Sequence, residues 1–432
     1  MKKVNYLDTA ASVLLKILMF VAMFVPMSTT MEGNTHFQYY QEFLLVNAVA
    51  VVFLLFYGMA TLGQKRWNKE NKVFCIKFFI VMCLYVFFYW LMMDSIQWKW
   101  QGANCMVSFG FFLLLMCGRN REWFEEHKII EFTNGSIILS NFIGILVYLK
   151  GYASVYWYNF KFQLMPPQQH YGEKRFDWIY YHKSQYAFML LLGLAFILVY
   201  RKKFKHKISL GAGLAVMLVC LYISHVNTAI VGGGLILCSF CLDEFIRNFK
   251  KIKLWVKAVI IPLFGVGVVG GCAAAFMKIQ AERSIITLGS RTYIWKNAID
   301  IILKRPEGLG TRFIFKKIPL PELWGKTNNG HNIFLNEMLR LSIPVGICFA
   351  IFFILIVAYA LEKKFSFLTL GIWGALFMSV MMDYAVMSCG WTLMVFFFYT
   401  LFFLDTGKET ELPGDSGGEI RQRIPEEIGK ES

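Results

Sequence analysis

The sequence predicts an all-α polytopic membrane protein of about 12 transmembrane helices with two long extracytoplasmic loops. Three observations lead there. Of its 432 residues, 57% are hydrophobic and 17% aromatic, with a mean hydropathy of +0.51, which is a membrane composition. Apolar stretches recur at residues 10–27, 43–62, 73–93, 103–118, 129–149, 185–200, 208–226, 229–246, 258–277, 343–360, 367–382 and 391–404. The basic residues then alternate in density between successive connections. With a cytoplasmic N-terminus, the connections at 1–9, 63–72, 118–128, 201–207, 246–257, 361–366 and the tail hold about 25 of the 44 Lys and Arg residues, whereas the three short opposite connections hold only Lys99.

Taken in order, MKKVNYLDTAASVLLKILMFVAMFV opens like a signal sequence, but no small-residue cleavage site follows, so it reads as an uncleaved first span. Lys16 and Lys77 lie inside spans near their cytoplasmic ends, where a lysine stem can snorkel to water. The stretches at 103–118, 185–200 and 391–404 fall short of the ~20 residues of an upright span, so they either extend into flanking aromatic residues or do not fully cross. Runs such as RKKFKHK from Arg201 and IRNFKKIKLWVK from Ile246 are positive-inside anchors, so the net charge of +16 calls for no nucleic-acid partner. The ten cysteines are scattered through apolar stretches and imply no disulfide framework. Cys238 and Cys241 sit one helical turn apart in a membrane segment, where packing accounts for them better than zinc or redox chemistry. Residues 1–404 form the membrane domain, and 405–432 read as a polar, disordered cytoplasmic tail. Both termini are expected in the cytoplasm.

Two external segments stand apart. Residues 150–184 and 278–342 carry 16 Lys and Arg against seven Asp and Glu, the reverse of what short external loops show. An anionic partner at the outer surface, such as a phosphate or diphosphate headgroup, would give that excess a purpose. The first segment is dense in aromatic residues. Tyr156, Trp157 and Tyr158 read best as an interfacial belt, with a sugar-stacking platform as the alternative. In the second, Ile294, Ala298, Ile301 and Ile302 recur at helical spacing opposite Lys296, Asn297, Asp300 and Lys304, predicting a short amphipathic helix on the membrane surface that ends at Pro306, Gly308 and Gly310. The chain returns to the membrane through Asn328, Asn329, Gly330, His331 and Asn332. Burying those polar groups without partners would cost about 1–8 kcal/mol, so they must line a site or satisfy one another.

Two blocks together resemble the O-antigen ligase and polysaccharide polymerase family of bacterial membrane glycosyltransferases. They are Arg291, Trp295, Pro306 and Gly308 to Gly310, then His331 and Asn332, Leu335 and Gly346. Members commonly carry a Ser-Arg-Thr-Ala-like motif outside a middle span. Here the stretch reads Ser224, His225, Val226, Asn227, Thr228, Ala229, with Asn227 in the arginine's place, so Arg291, Arg283 or Arg175 would have to supply that charge. The resemblance implies a polymerase of polyprenyl-diphosphate-linked repeat units in O-antigen, capsule or exopolysaccharide synthesis, acting at the outer face of the bacterial inner membrane. The alternative is a ligase that transfers the finished polymer. Implied partners are an undecaprenyl-diphosphate-linked donor and acceptor and membrane lipids, with contact to a flippase or chain-length regulator left open.

Such a reaction needs a base for the acceptor hydroxyl and positive charge on the departing diphosphate. His331 suits the first, because an imidazole is largely neutral at pH 7, and Arg291 suits the second through its planar fork. Read without the resemblance, they are an interfacial histidine and a headgroup anchor. Asn332, Asn336 and Arg340 recur every four residues and would line one face of the helix that follows, as substrate-binding groups, with Glu337 paired to Arg340. No Asp-x-Asp pair stands in an external segment, so neither a metal nor a cofactor is expected. A transporter of lipid-linked units is a second alternative of a different class, disfavoured because no internal repeat is evident and the polar residues gather in outer loops.

Overall fold

A computed structural model describes residues 6–26, 35–63, 71–92, 96–118, 120–158, 161–166, 176–180, 182–204, 206–249, 277, 290–310, 318–321, 325–327, 329–363, 365–382 and 392–404. The helices are α1 (Tyr6–Phe24), α2 (Thr35–Gly63), α3 (Lys72–Met92), α4 (Ile96–Cys117), α5 (Asn120–Glu126), α6 (Ile129–Leu149), α7 (Lys183–Val199), α8 (Lys207–Ile223), α9 (Asn227–Asn248), α10 (Arg291–Lys304), α11 (Ile333–Arg340), α12 (Ile343–Lys363), α13 (Phe367–Met382) and α14 (Thr392–Leu404). Every apolar stretch marked in the sequence carries one of these helices except 258–277, which lies outside the described residues apart from Met277. The tail at 405–432 also lies outside them. Among the described residues, five helices are long and apolar enough to cross a membrane, namely α1, α3, α6, α9 and α12, and shorter apolar helices accompany them.

The helical reading needs one addition. Each long loop contains a two-stranded antiparallel hairpin, β1 (Ser154–Tyr158) with β2 (Lys161–Met165), and β3 (Ile318–Leu320) with β4 (Gly325–Thr327). Pairing satisfies backbone groups that a loose loop would leave to water. The first loop also contributes rings to the core where it is described. Phe176, Trp178 and Tyr180 are buried. Trp178 donates through Nε1 to Ser140 Oγ at 3.0 Å, Tyr180 stacks on Tyr186, and Phe176 meets Tyr186 edge-on. These rings dock the loop onto α6 and α7 and offer no face to a sugar. The side chains of Tyr156, Trp157 and Tyr158 lie outside the described residues.

In a bilayer the lipid tails are as apolar as the core, so helices associate through close packing and internal hydrogen bonds. Phe78, Phe109, Phe112, Phe352 and Phe396 pack as one aromatic cluster between α3, α4, α12 and α14. Such pairs each contribute about 0.5–1.5 kcal/mol beyond area. One end of the bundle is tied by polar groups: Asn71 donates to the Met116 carbonyl at 2.8 Å, Tyr359 donates to Asn71, and Tyr200 donates to the Leu401 carbonyl at 2.6 Å. Lys16 lies with Nζ over the Phe132 ring at 5.9 Å. Cys238 and Cys241 correct the packing expectation, since both face outward from α9. Lipid-facing positions tolerate a small soft side chain as readily as a core does.

The pairing that positions the functional end is α9 against α13. Small residues let the two backbones approach: Gly371 faces Ser239, and Gly232 faces Ala375. These contacts make the two helices antiparallel, so the first residue of α9, Asn227, and the last of α13, Met382, lie at the same end, on the order of 10 Å beyond the glycine contacts. A side chain on Gly371 would overlap Ser239 and approach the Leu235 carbonyl, whereas one on Gly234 would meet nothing within 4 Å. Gly371→Leu should therefore destabilise the protein by about 1–3 kcal/mol, and Gly234→Ala should be silent. Thermal unfolding in detergent measures both, and equal midpoints for the two variants would refute a tight α9–α13 contact.

Candidate functional site

The second long loop folds on its own small core. The Ile294, Ala298 and Ile302 side of α10 packs with Leu309, Ile318, Leu320 and Leu339. The apolar face expected to lie on the membrane is thus covered by β3 and α11, while Lys296, Asp300 and Lys304 face outward as the spacing predicts. The Pro306 to Gly310 turn does more than stop the helix. Leu309 N donates to the Leu339 carbonyl at 2.7 Å, and Ile343 N donates to the Pro306 carbonyl at 3.0 Å. Gly308, at φ 82°, lies so close to the backbone of Arg340, Leu341 and Ser342 that a Cβ would press on it at 3.0–3.2 Å.

That seat is occupied by a chain break the sequence pattern did not predict. The segment after His331 is not one helix running into the membrane. It is the short α11, which ends at Arg340, followed by Leu341, Ser342 at φ 149° and then the span α12. Gly346 permits this, because Met338 of α11 folds back onto it so closely that any side chain there would overlap. Asn332, Asn336 and Arg340 accordingly do not form one stripe along an entering span. Asn332 caps α11, its Oδ1 accepting from Phe334 N at 3.0 Å and Leu335 N at 3.2 Å. Asn336 ties down the preceding turn: Oδ1 accepts from Gly330 N at 2.8 Å, and Nδ2 donates to Asn329 Oδ1 at 2.9 Å. Arg340 turns the other way, with NH2 on Glu337 Oε1 at 2.8 Å and its guanidinium 5.9 Å from the Tyr89 ring centre.

His331 occupies the centre of this turn with φ 46°, and its N–H donates to Asn329 Oδ1 at 2.8 Å. A left-handed backbone at a non-glycine residue costs on the order of 1–3 kcal/mol and persists only where surroundings enforce it. Here the asparagine bonds enforce it. His225, just before α9, and Ser290, just before α10, share the same left-handed geometry at φ 51° and 75°.

Arg291 and His331 are linked through a closed circuit of contacts. Arg291 donates through Nε to the Met382 carbonyl at 2.8 Å, placing its cation at the negative end of α13. Asn332 donates through Nδ2 to Met381 Sδ at 3.5 Å. Trp295, one turn after Arg291 on α10, donates through Nε1 to the Gly330 carbonyl at 3.0 Å. The end of α13, the first turn of α10 and the His331 turn therefore enclose one corner. Asn227 comes to the same end through the α9–α13 pairing, and Lys183 at the start of α7 reaches the His225 carbonyl at 3.5 Å. Arg283 and Arg175 lie outside the described residues.

Sequence reasoning overlooked Tyr85 and Tyr89, two phenols spaced four apart in an otherwise apolar span. Tyr85 donates to Glu337 Oε2 at 2.9 Å, so the fully buried Glu337 is held by both Tyr85 and Arg340. This fastens α11 to α3. The i, i+3 pairing of Glu337 with Arg340 was legible, and its phenolic partners were legible as a spacing, although nothing local connects them. Lys183 was overlooked because in the sequence it reads as one more basic residue of the first long loop. Among the described residues, no cluster of three or more His, Cys, Asp or Glu could hold a metal ion.

Fold and site define a multi-pass helical membrane protein with a polar corner built at one end of its bundle. Residues 212–350, about a third of the chain, match the family model described as O-Antigen ligase, in support of the resemblance to the O-antigen ligase and polymerase family. No curated protein matches the chain. The matched segment contains Asn227, Arg283, Arg291, His331, Asn332, Asn336 and Arg340.

Two variants probe the construction of the corner. Glu337→Ala would leave Arg340 without its buried partner, a change that typically costs about 3–5 kcal/mol, and should lower the unfolding midpoint well below that of Glu337→Gln, which can still bond Tyr85. Gly308→Ala should separate α10 from α11, and an unfolding midpoint identical to wild type would contradict the seat described for Ser342.

Proposed function

We propose that the protein polymerises polyprenyl-diphosphate-linked oligosaccharide repeat units for a surface polysaccharide at the outer face of the bacterial inner membrane. The observation that carries this reading is the circuit joining Arg291 to His331 through α13, Trp295 and Gly330. It brings Arg291 and the turn that carries His331 to one corner at one end of the bundle. In the reaction, an acceptor sugar hydroxyl attacks the anomeric carbon of the lipid-linked glycan. Its proton passes to His331 as the new C–O bond forms, and the bond to the lipid diphosphate breaks with its electron pair leaving on the diphosphate. Arg291 meets that charge with its fork, a role in which lysine is a poor substitute. Lys183 lies near enough to His225 to supply the second cation that Asn227 does not. Asn332 and Asn336 serve this reading by holding the His331 turn, and Arg340 by fixing α11 on α3.

A ligase reading stands beside it because the matching family model is described as O-Antigen ligase. Both transfer a glycan from a lipid diphosphate and call on the same base and cation. They differ in acceptor.

A deletion strain separates the readings by what accumulates. Loss of a polymerase leaves single repeat units outside and no ladder, which is the expected pattern. Long chains on lipid diphosphate would move the assignment to ligase, and inward-facing single units would move it to transport. His331→Ala should reduce product by roughly 10² to 10⁴ at normal membrane levels of protein, and Arg291→Lys should also be severe. Wild-type ladders from His331→Ala would remove it as the base.

The orientation rests on the basic-residue bias and is tested separately. In a cysteine-free background, Lys326→Cys, exposed on β4, should react with an impermeant thiol reagent on intact cells, and Lys203→Cys at the opposite end only after lysis. The reversed pattern would place the proposed site in the cytoplasm and end the reading.

A further inference from the structure

The hairpin of the first long loop has an apolar side that the bundle only half covers. Strand pairing sets Val155 of β1 opposite Leu164 of β2 and Trp157 opposite Phe162, and directly opposite residues of an antiparallel pair point to the same side. Val155 is 7% exposed and packs into the core of the helix bundle, so this side of the hairpin looks toward the membrane-embedded helices. Leu164 and Phe162 point the same way from the next strand, yet they are 45% and 60% exposed. β2 therefore overhangs the edge of the bundle with its apolar side turned toward the helices. Gln163 alternates to the other side.

The overhang is held in place and its level is fixed. Val155 N donates to the Trp178 carbonyl at 2.8 Å, and the Trp178 ring lies over Gly144 of α6, so β1 is fastened to buried structure on one side and carries β2 on the other. Tyr152 N donates to the Val147 carbonyl at 3.2 Å and Ala153 N to the Met165 carbonyl at 2.7 Å, which brings the end of β2 to the last turn of α6. On α6 itself, Leu139, Phe142, Leu146 and Leu149 are exposed and recur every three or four residues, forming one stripe on a helix long and apolar enough to cross a membrane. Such a stripe faces lipid. It stops at Leu149, the level at which β2 begins to overhang.

We propose that Phe162 and Leu164 insert into the lipid leaflet at this end of the bundle, at the boundary between headgroups and acyl chains, making the hairpin a membrane-surface anchor. It is the end that holds Arg291, since the same loop leads into α7, whose Lys183 reaches the His225 carbonyl. An interfacial element needs apolar side chains on one face and polar groups on the other, and alternation along β2 supplies both. A soluble partner would have to reach this side from the bilayer, where lipid already stands. The anchor does not depend on the proposed glycan chemistry.

The test uses full-length, cysteine-free protein in phosphatidylcholine nanodiscs, with a nitroxide on Phe162→Cys, Gln163→Cys or Leu164→Cys. Collision rates are measured with oxygen, which partitions into lipid, and with a nickel chelate, which stays in water. Phe162→Cys and Leu164→Cys should favour oxygen over nickel roughly threefold more than Gln163→Cys does, as an interfacial strand requires. A preference for nickel at all three positions would overturn the proposal. So would labels at 162 and 164 shielded from both agents, because protein would then cover the face. Should the cysteine-free protein fail to fold, p-benzoylphenylalanine in place of Phe162 in the otherwise unaltered chain gives a second readout. Ultraviolet light should join a phospholipid to it, detected by mass spectrometry, and a cross-link to protein alone, or none, would overturn the proposal.

Discussion

The candidate site depends on the carboxamide of Asn336. It accepts a hydrogen bond from Gly330 N–H and donates one to Asn329 Oδ1, which in turn accepts from His331 N–H, so one side chain on α11 holds the whole turn ahead of its own helix. At a membrane boundary this matters more than in water, because each backbone group left unbonded costs several kcal/mol in hydrocarbon. The left-handed backbone of His331 follows from the same bonds. The histidine is presented by strain that Asn329, Asn332 and Asn336 sustain jointly.

Around that turn, the fold spends its polar contacts at junctions. Trp295 fixes α10 to Gly330, Arg291 fixes α10 to the end of α13, and Glu337 with Tyr85 and Arg340 fixes α11 to α3. Between the junctions the helices meet through glycine contacts and aromatic rings, which carry no charge and need no water. This division suits a protein that must be rigid at one membrane end while remaining apolar across its middle.

The helix α13 connects the two ends. Its C-terminal carbonyl receives Arg291, and its N-terminal turn lies beside Arg201, Arg247 and Lys363 at the opposite end. The small residues that press α9 against it make the pair stiff along its length.

Hydropathy and charge bias determined the positions and order of the helices, because a span must be apolar over its own length and needs no partner to be recognised. Local periodicity likewise marked α10, and short spacing marked the Glu337–Arg340 pair. The break at Leu341 and Ser342 was not legible, since a helix period continues through it and the contact of Met338 with Gly346, which a straight helix would hold about 12 Å apart, exists only once the chain has turned. Nor could periodicity show that the aromatic residues Phe176, Trp178 and Tyr180 are buried, or that the apolar face of α10 is covered by β3. The approach of α10 to the His331 turn was decided by tertiary structure alone: Arg291 and Asn332 both reach the last turn of α13, a helix that begins after both in the chain, and no local pattern encodes a contact that distant.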